Sequence, residues 1–155
     1  MIISRYNRTS FRFEIKGTNK EVVILVDPPS DGRRLAAADI VLWTEWEPGP
    51  PAVGAESYRI RWPGEYERCG ITIHGIGARH MPHGVMTSST VSAFSVFGEG
   101  IHLLYLGDTN QADWNGGALE QVGDIDILMV PVGGHWMLNA EEARGVIKVI
   151  EPKLV

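Results

Sequence analysis

Two apolar runs in the second half of the chain constrain its fold more than any other feature. Ile101 to Leu106 leads into Gly107-Asp108-Thr109, and Ile125 to Val132 leads into Gly133-Gly134-His135. Short runs of this kind, apolar at nearly every position, suit strands covered on both faces of a sheet. Each closes at a glycine turn beside a side chain able to ligate a metal, Asp108 in the first case and His135 in the second. A third run, Ile40 to Trp43, has the same character and passes through Thr44 into Glu45-Trp46-Glu47-Pro48-Gly49-Pro50.

The rest of the chain alternates or breaks in ways that fit a sheet protein. Phe11 to Ile15 and Glu21 to Val26 predict an N-terminal hairpin turning at Lys16-Gly17-Thr18-Asn19. Asp27 to Gly32 and Pro48 to Gly54 are too rich in Pro and Gly to be anything but loops. Ser57 to Arg61, Gly70 to Ile76, Val91 to Phe97 and Ile101 to Leu106 are further strands, the last two joined at Gly98-Glu99-Gly100. Ala118 to Val122 is expected to be a short helix ending at Gly123. Asn139 is expected to cap a second helix from Ala140 to Ile150, stopped before Pro152.

With 155 residues the chain is expected to form one domain, 1–155, around a single core. No apolar stretch approaches the ~20 residues of a membrane span, and the N-terminus lacks the apolar core of a secretory signal, so a cytoplasmic protein is expected. Cys69 is the one cysteine, which excludes an intrachain disulfide or a Cys-based zinc site; it is expected as a half-buried residue opening the strand from Gly70. A net charge of −5 and the shortness of Arg33-Arg34 and Arg59-x-Arg61 argue against nucleic acid as partner.

Taken in order, Ile24-Leu25-Val26-Asp27-Pro28, Ala38 to Thr44, Trp62-Pro63-Gly64-Glu65-Tyr66-Glu67 with Gly75-Ile76, Leu106-Gly107-Asp108 and Gly123 to Val155 resemble the metallo-β-lactamase superfamily. Within it they resemble the short zinc-dependent hydrolases related to the ascorbate-6-phosphate lactonases. The resemblance implies an α/β fold, a metallo-β-lactamase-like αβ(βα) sandwich with helices outside. It also implies a histidine motif, His-x-His-x-Asp-His, after Thr44, where this chain has Glu45-Trp46-Glu47-Pro48-Gly49-Pro50.

By position in that resemblance, Asp108 matches the family's aspartate ligand and His80 a later histidine ligand. Glu45 and Glu47 take the places of the first two histidines, and Gly49 and Pro50 those of the Asp and third His. Two glutamates two apart on a strand end point the same way and suit a hard ion. The implied cofactor is therefore one divalent ion, Zn, Mn or Mg, or none, and the implied substrate of an active protein is a small molecule. Each residue also has a structural reading: Asp108 as a turn cap, His80 and His83 as exposed polar residues, Glu45 and Glu47 as surface glutamates. His135 is either a ligand, a general acid or base, or neither; His74 and His102 read as solvent-facing or packed. Among the tryptophans, Trp43 and Trp62 read as core, and Trp46 and Trp136 as flanking the site.

The family's chain continues through another strand that bears a histidine, whereas this one stops at Lys153-Leu154-Val155. The expectation is a C-terminal truncation of the fold that exposes a sheet edge. A homo-oligomer would cover it, with Trp114 or Trp136 contributing.

Overall fold

The computed structural model describes residues 1–7, 9–29, 37–44, 56–80, 89–114, 117, 119, 122–133 and 137–155, with the backbone alone at 80 and 89–91. Ten strands are described: β1 (Ile2–Arg5), β2 (Phe11–Lys16), β3 (Glu21–Val26), β4 (Ile40–Leu42), β5 (Tyr58–Ile60), β6 (Gly64–Arg68), β7 (Ile71–His80), β8 (Ser89–Gly98), β9 (Ile101–Tyr105) and β10 (Ile127–Met129). They form two five-stranded sheets, ordered β1-β2-β3-β4-β5 and β10-β9-β8-β7-β6. In the first, β3, β4 and β5 run parallel; in the second, β9 and β10 do. The sheets stack with β2 over β9 and β5 over β6, as the edge-to-face pairs Phe11–Tyr105 and Tyr58–Tyr66 record.

Period-two alternation decides which side chains fill which layer. Ile24 and Val26, Ile40 and Leu42, Ile71 and Ile73, and Phe94 and Val96 point between the sheets and form the central core. The residues between them point outward: Leu25 and Val41 cluster with Trp43 outside the first sheet, and Ala93 and Leu104 outside the second. The helix α1 (Ala140–Ile150) lies on that second outer layer through Ala143 and Val146, which meet Leu104, Trp114 and Leu138. Fully burying one such Val, Leu, Ile or Phe side chain stabilises the fold by about 1.5–3 kcal/mol. This is the αβ sandwich expected from the sequence, with the described helix outside. No described helix is long and apolar enough to cross a membrane.

Local sequence explains the ends of these elements. The Asn139 side chain accepts hydrogen bonds from the backbone of Glu141 and Glu142, while the Asn139 amide donates to the Glu142 carboxylate, a reciprocal cap. Glu151 closes α1 in the left-handed region just before Pro152. Glu99 and Gly100, at φ of 57° and 71°, make the tight two-residue turn from β8 to β9. The expected hairpin of β2 and β3 is present with its turn at Gly17, where an added Cβ would lie 2.5 Å from the Cys69 carbonyl oxygen.

Several expectations are corrected. β1 and β6 were not expected as strands; β7 and β8 are longer than anticipated, and β10 is three residues rather than eight. Cys69 sits in the turn before β7 at φ 55° instead of opening the strand, its carbonyl receiving the Thr18 amide at 2.8 Å. Trp62 is 49% exposed, because it precedes the edge strand β6 rather than lying under it. Trp114 is 2% exposed, its indole donating to the Gln111 carbonyl, so it belongs to the core and not to a surface contact. The expected helix over 118–122 and the loop from Pro48 fall at least partly outside the described residues.

Candidate active site

The ends of β3, β4, β7 and β9 meet at one end of the sandwich, and a half-buried carboxylate organises the meeting. Asp27, just past β3 at φ 43°, accepts the Thr44 amide at 2.7 Å and the Thr44 hydroxyl at 2.8 Å. The Tyr105 hydroxyl, from the end of β9, lies 3.2 Å from the same carboxylate and donates to the Thr9 carbonyl at 2.7 Å. Charge-assisted bonds of this kind are stronger than neutral ones, so the exit of β4 is held firmly. The Thr44 carbonyl in turn receives the Ser92 amide at 2.9 Å, tying it to β8.

Asp108 stands between two close contacts. On one side, Gly107 packs against Thr44 so tightly that an added Cβ would lie 2.5 Å from the Thr44 methyl. Its φ of +66° independently favours glycine. On the other side, the buried Thr109 donates its hydroxyl to the Arg79 carbonyl at 2.6 Å, and Gln111 accepts the Arg79 amide at 3.0 Å. Asp108 itself is half-buried. The chain neighbours of its two contacts are residue 45, following Thr44, and residue 80, following Arg79.

The structure therefore sets Asp108 between Thr44, where the described part of the β4 exit ends, and Arg79, which precedes the described backbone of His80. The His80 side chain is not described, and Glu45, Glu47, His83, His135, Trp46 and Trp136 lie outside the described residues. Among the described residues, no three His, Cys, Asp or Glu side chains gather as a metal-holding group. The donors that the sequence offers at these positions are three carboxylates and one imidazole, a chemistry that fits an oxygen-preferring ion better than zinc.

Sequence reasoning missed the supports. Asp27, Thr44, Tyr105 and Thr109 had no role there, although the sharp Asp27-Pro28 break after an apolar strand was a usable signal. His102 is a packed histidine: its ring lies 2.6 Å from the Ser95 hydroxyl and edge-on to Phe97. Burial, helped by the neighbouring His74, pushes its pKa down. It sits on the outer face of the second sheet, near the start of β9, away from the strand ends around Asp108.

Residues 3–155 match the model of the beta-lactamase superfamily domain. A solved structure from Thermotoga maritima, described as a candidate Zn-dependent hydrolase of the metallo-beta-lactamase superfamily, is 27% identical with a TM-score of 0.79, over 97% of this chain and 71% of that one. A candidate metal-dependent hydrolase from Parabacteroides distasonis is 17% identical at TM-score 0.75, over 98% and 79% of the two chains. A metallo hydrolase from Ignicoccus hospitalis is 16% identical at 0.69, over 97% and 78%. The last two speak to the fold alone.

Proposed function

We propose, from the premise that the chain belongs to the family of beta-lactamase superfamily domains, that it is a divergent member with a degenerate metal position and weak or absent zinc hydrolase activity. The contact of Gly107 with Thr44 carries this reading. It sets the exit of β4 beside Asp108, and the sequence that leaves Thr44 is Glu45-Trp46-Glu47-Pro48-Gly49-Pro50 rather than a run of histidines. Zinc affinity rests on neutral imidazole and thiolate ligands; carboxylates in their place make a harder and poorer zinc site. Metal analysis of protein purified without chelator and then dialysed tests it: substoichiometric zinc is expected, and one retained zinc per chain would refute it.

A second reading is an active metal-dependent hydrolase of a small ester, lactone, amide or phosphodiester. Two observations favour it: Asp108 is held between Gly107 and Thr109, and the Thermotoga relative carries a hydrolase description. Asp108, His80, Glu45 and Glu47 would hold the ion, Mn or Mg fitting their oxygens, and His135 would move a proton. When bound, such an ion supplies acidification of a water molecule. Activity that appears with Mn or Mg and disappears in Asp108→Asn would select this reading.

The proposal includes a cytoplasmic protein that self-associates. Ile2 on the terminal strand β1 is 58% exposed, and Leu154, bridged to β10, is 60% exposed. Apolar residues on open sheet edges are where a second copy pairs. Sedimentation at micromolar concentration should show a dimer or larger species, and a clean monomer would remove this part.

A further inference from the structure

Between the ends of β1 and β10, on the open side of the sandwich, lies a cavity of about 360 Å³. That size is usual for a small-molecule site. Its walls are largely apolar: Phe11 and Tyr105, edge to face with centroids 5.7 Å apart, and Met129 and Met137. Methionine thioethers adapt to varied apolar shapes. Among the described residues lining the cavity, Arg5 carries the single charged side chain. Its Nε donates to the Asn7 carbonyl at 2.7 Å, which orients the guanidinium. Among the described residues, its two terminal amino groups meet no carboxylate within ion-pair distance. The Tyr105 hydroxyl is already engaged with Thr9 and Asp27, and Val155 brings its main-chain carboxyl end to the lining, so the cationic recognition available here among the described residues is the Arg5 guanidinium at the rim.

We propose that this cavity binds a small monocarboxylate with an apolar body. The carboxylate pairs with the Arg5 guanidinium, and the body lies among Phe11, Tyr105, Met129 and Met137. A carboxylate matches the two terminal donors of a guanidinium in one plane. A phosphate brings more charge and more acceptors than one arginine answers, and the apolar walls would leave the remainder unsatisfied. The cavity borders the site around Asp108 at Gly107, Thr9 and Tyr105. None of the groups proposed to hold the ion lines it among the described residues, so binding needs no ion and goes beyond the proposed function.

The test uses the whole chain labelled with ¹³C at the methionine methyls, in EDTA, titrated with hexanoate, 1-hexanol and inorganic phosphate. Hexanoate should give saturable shifts at Met129 and Met137, with 1-hexanol about fivefold weaker or more and phosphate without effect. Arg5→Gln, at an exposed position, should weaken hexanoate about fivefold or more and leave 1-hexanol unchanged. Equal binding of hexanoate and 1-hexanol, indifference to Arg5→Gln, the same shifts with phosphate, or shifts that never saturate would each overturn the proposal. Shifts that appear only when Mn is added and EDTA omitted would overturn its independence from the metal position while leaving the metal reading intact.

Discussion

Gly107→Ala is the sharpest probe of how the site end is built. The new Cβ would lie 2.5 Å from the Thr44 methyl, 2.6 Å from its Cβ and 2.9 Å from its hydroxyl oxygen. Thr44 cannot easily withdraw, because Asp27 holds both its amide and its hydroxyl. Overpacking of this kind costs about 1–3 kcal/mol. The left-handed φ of +66° adds about 1–2 kcal/mol for any residue with a Cβ. The sum is about 2–5 kcal/mol, a large part of a domain stability on the order of 5–15 kcal/mol. Gly123→Ala is the control, since its φ of +71° imposes the same backbone cost while nothing among the described residues lies within 4 Å of its Cβ. In urea, with a slope of about 2 kcal/mol/M, the midpoint should fall by about 1–2.5 M for Gly107→Ala and by about 0.5–1 M for the control. Equal shifts for the two variants would refute the claim that Gly107 and Thr44 are locked together.

Asn139→Ala removes the two hydrogen bonds that the Asn139 side chain accepts in the α1 cap and should destabilise by about 1 kcal/mol, read from urea midpoints followed by circular dichroism. The Lys153 hydrogen bond, aided by the His102 amide, holds the Asp126 carboxyl below its ordinary pKa of 3.8. Its contribution is thus complete above pH 3.8 and is lost as pH falls through the lower folded value; Asp126→Asn should flatten that acid limb, and an unchanged limb would count against the pairing. Burial, then His74, lowers the His102 pKa below 6.5, so its stabilising effect is full above pH 6.5 and declines as pH falls through the folded value. Titration of its ring signals by NMR should give a midpoint under 6.5, and His102→Asn should reduce the pH slope in that window. Chelation should leave the melting temperature unchanged, since the described strand ends are joined by their own hydrogen bonds; a large fall in EDTA would show that an ion supports the fold.

Strands that carry a clean local pattern were legible in the sequence. Phe11-Arg12-Phe13-Glu14-Ile15 alternates because β2 has one face in the core, and its hairpin with β3 followed directly. The α1 boundaries were equally readable, since a cap acts within four residues. β6 was missed because it is an edge strand: Glu65 and Glu67 face outward, and Arg68 lies over Tyr58 at the open side, so no apolar face announces it. Charged residues are a common guard on such edges. At the site, Asp108 stood out because Gly-Asp ended an apolar run. Its supports did not, because Thr44 is 17 residues from Asp27, and Tyr105 is 78 residues from it. Contacts at that separation leave no periodic trace in a single sequence.

The site end divides into a frame and the residues mounted on it, and the two need not change together. Asp27 bonded to Thr44, Gly107 seated on Thr44, and Thr109 bonded to Arg79 join four strand ends using backbone groups, hydroxyls and one carboxylate. None of these contacts uses a side chain from 45, 47 or 80. A half-buried carboxylate that accepts both the Thr44 amide and the Thr44 hydroxyl is costly to lose, so substitutions in the frame threaten folding itself. Substitutions at 45, 47 and 80 alter what the frame presents while leaving those hydrogen bonds in place. Family membership is therefore written in the frame, whereas chemistry is decided by side chains that the frame does not need. Variants at Asp27 or Gly107 should lose stability first, and those at Glu45 or Glu47 should change metal preference with little change in stability.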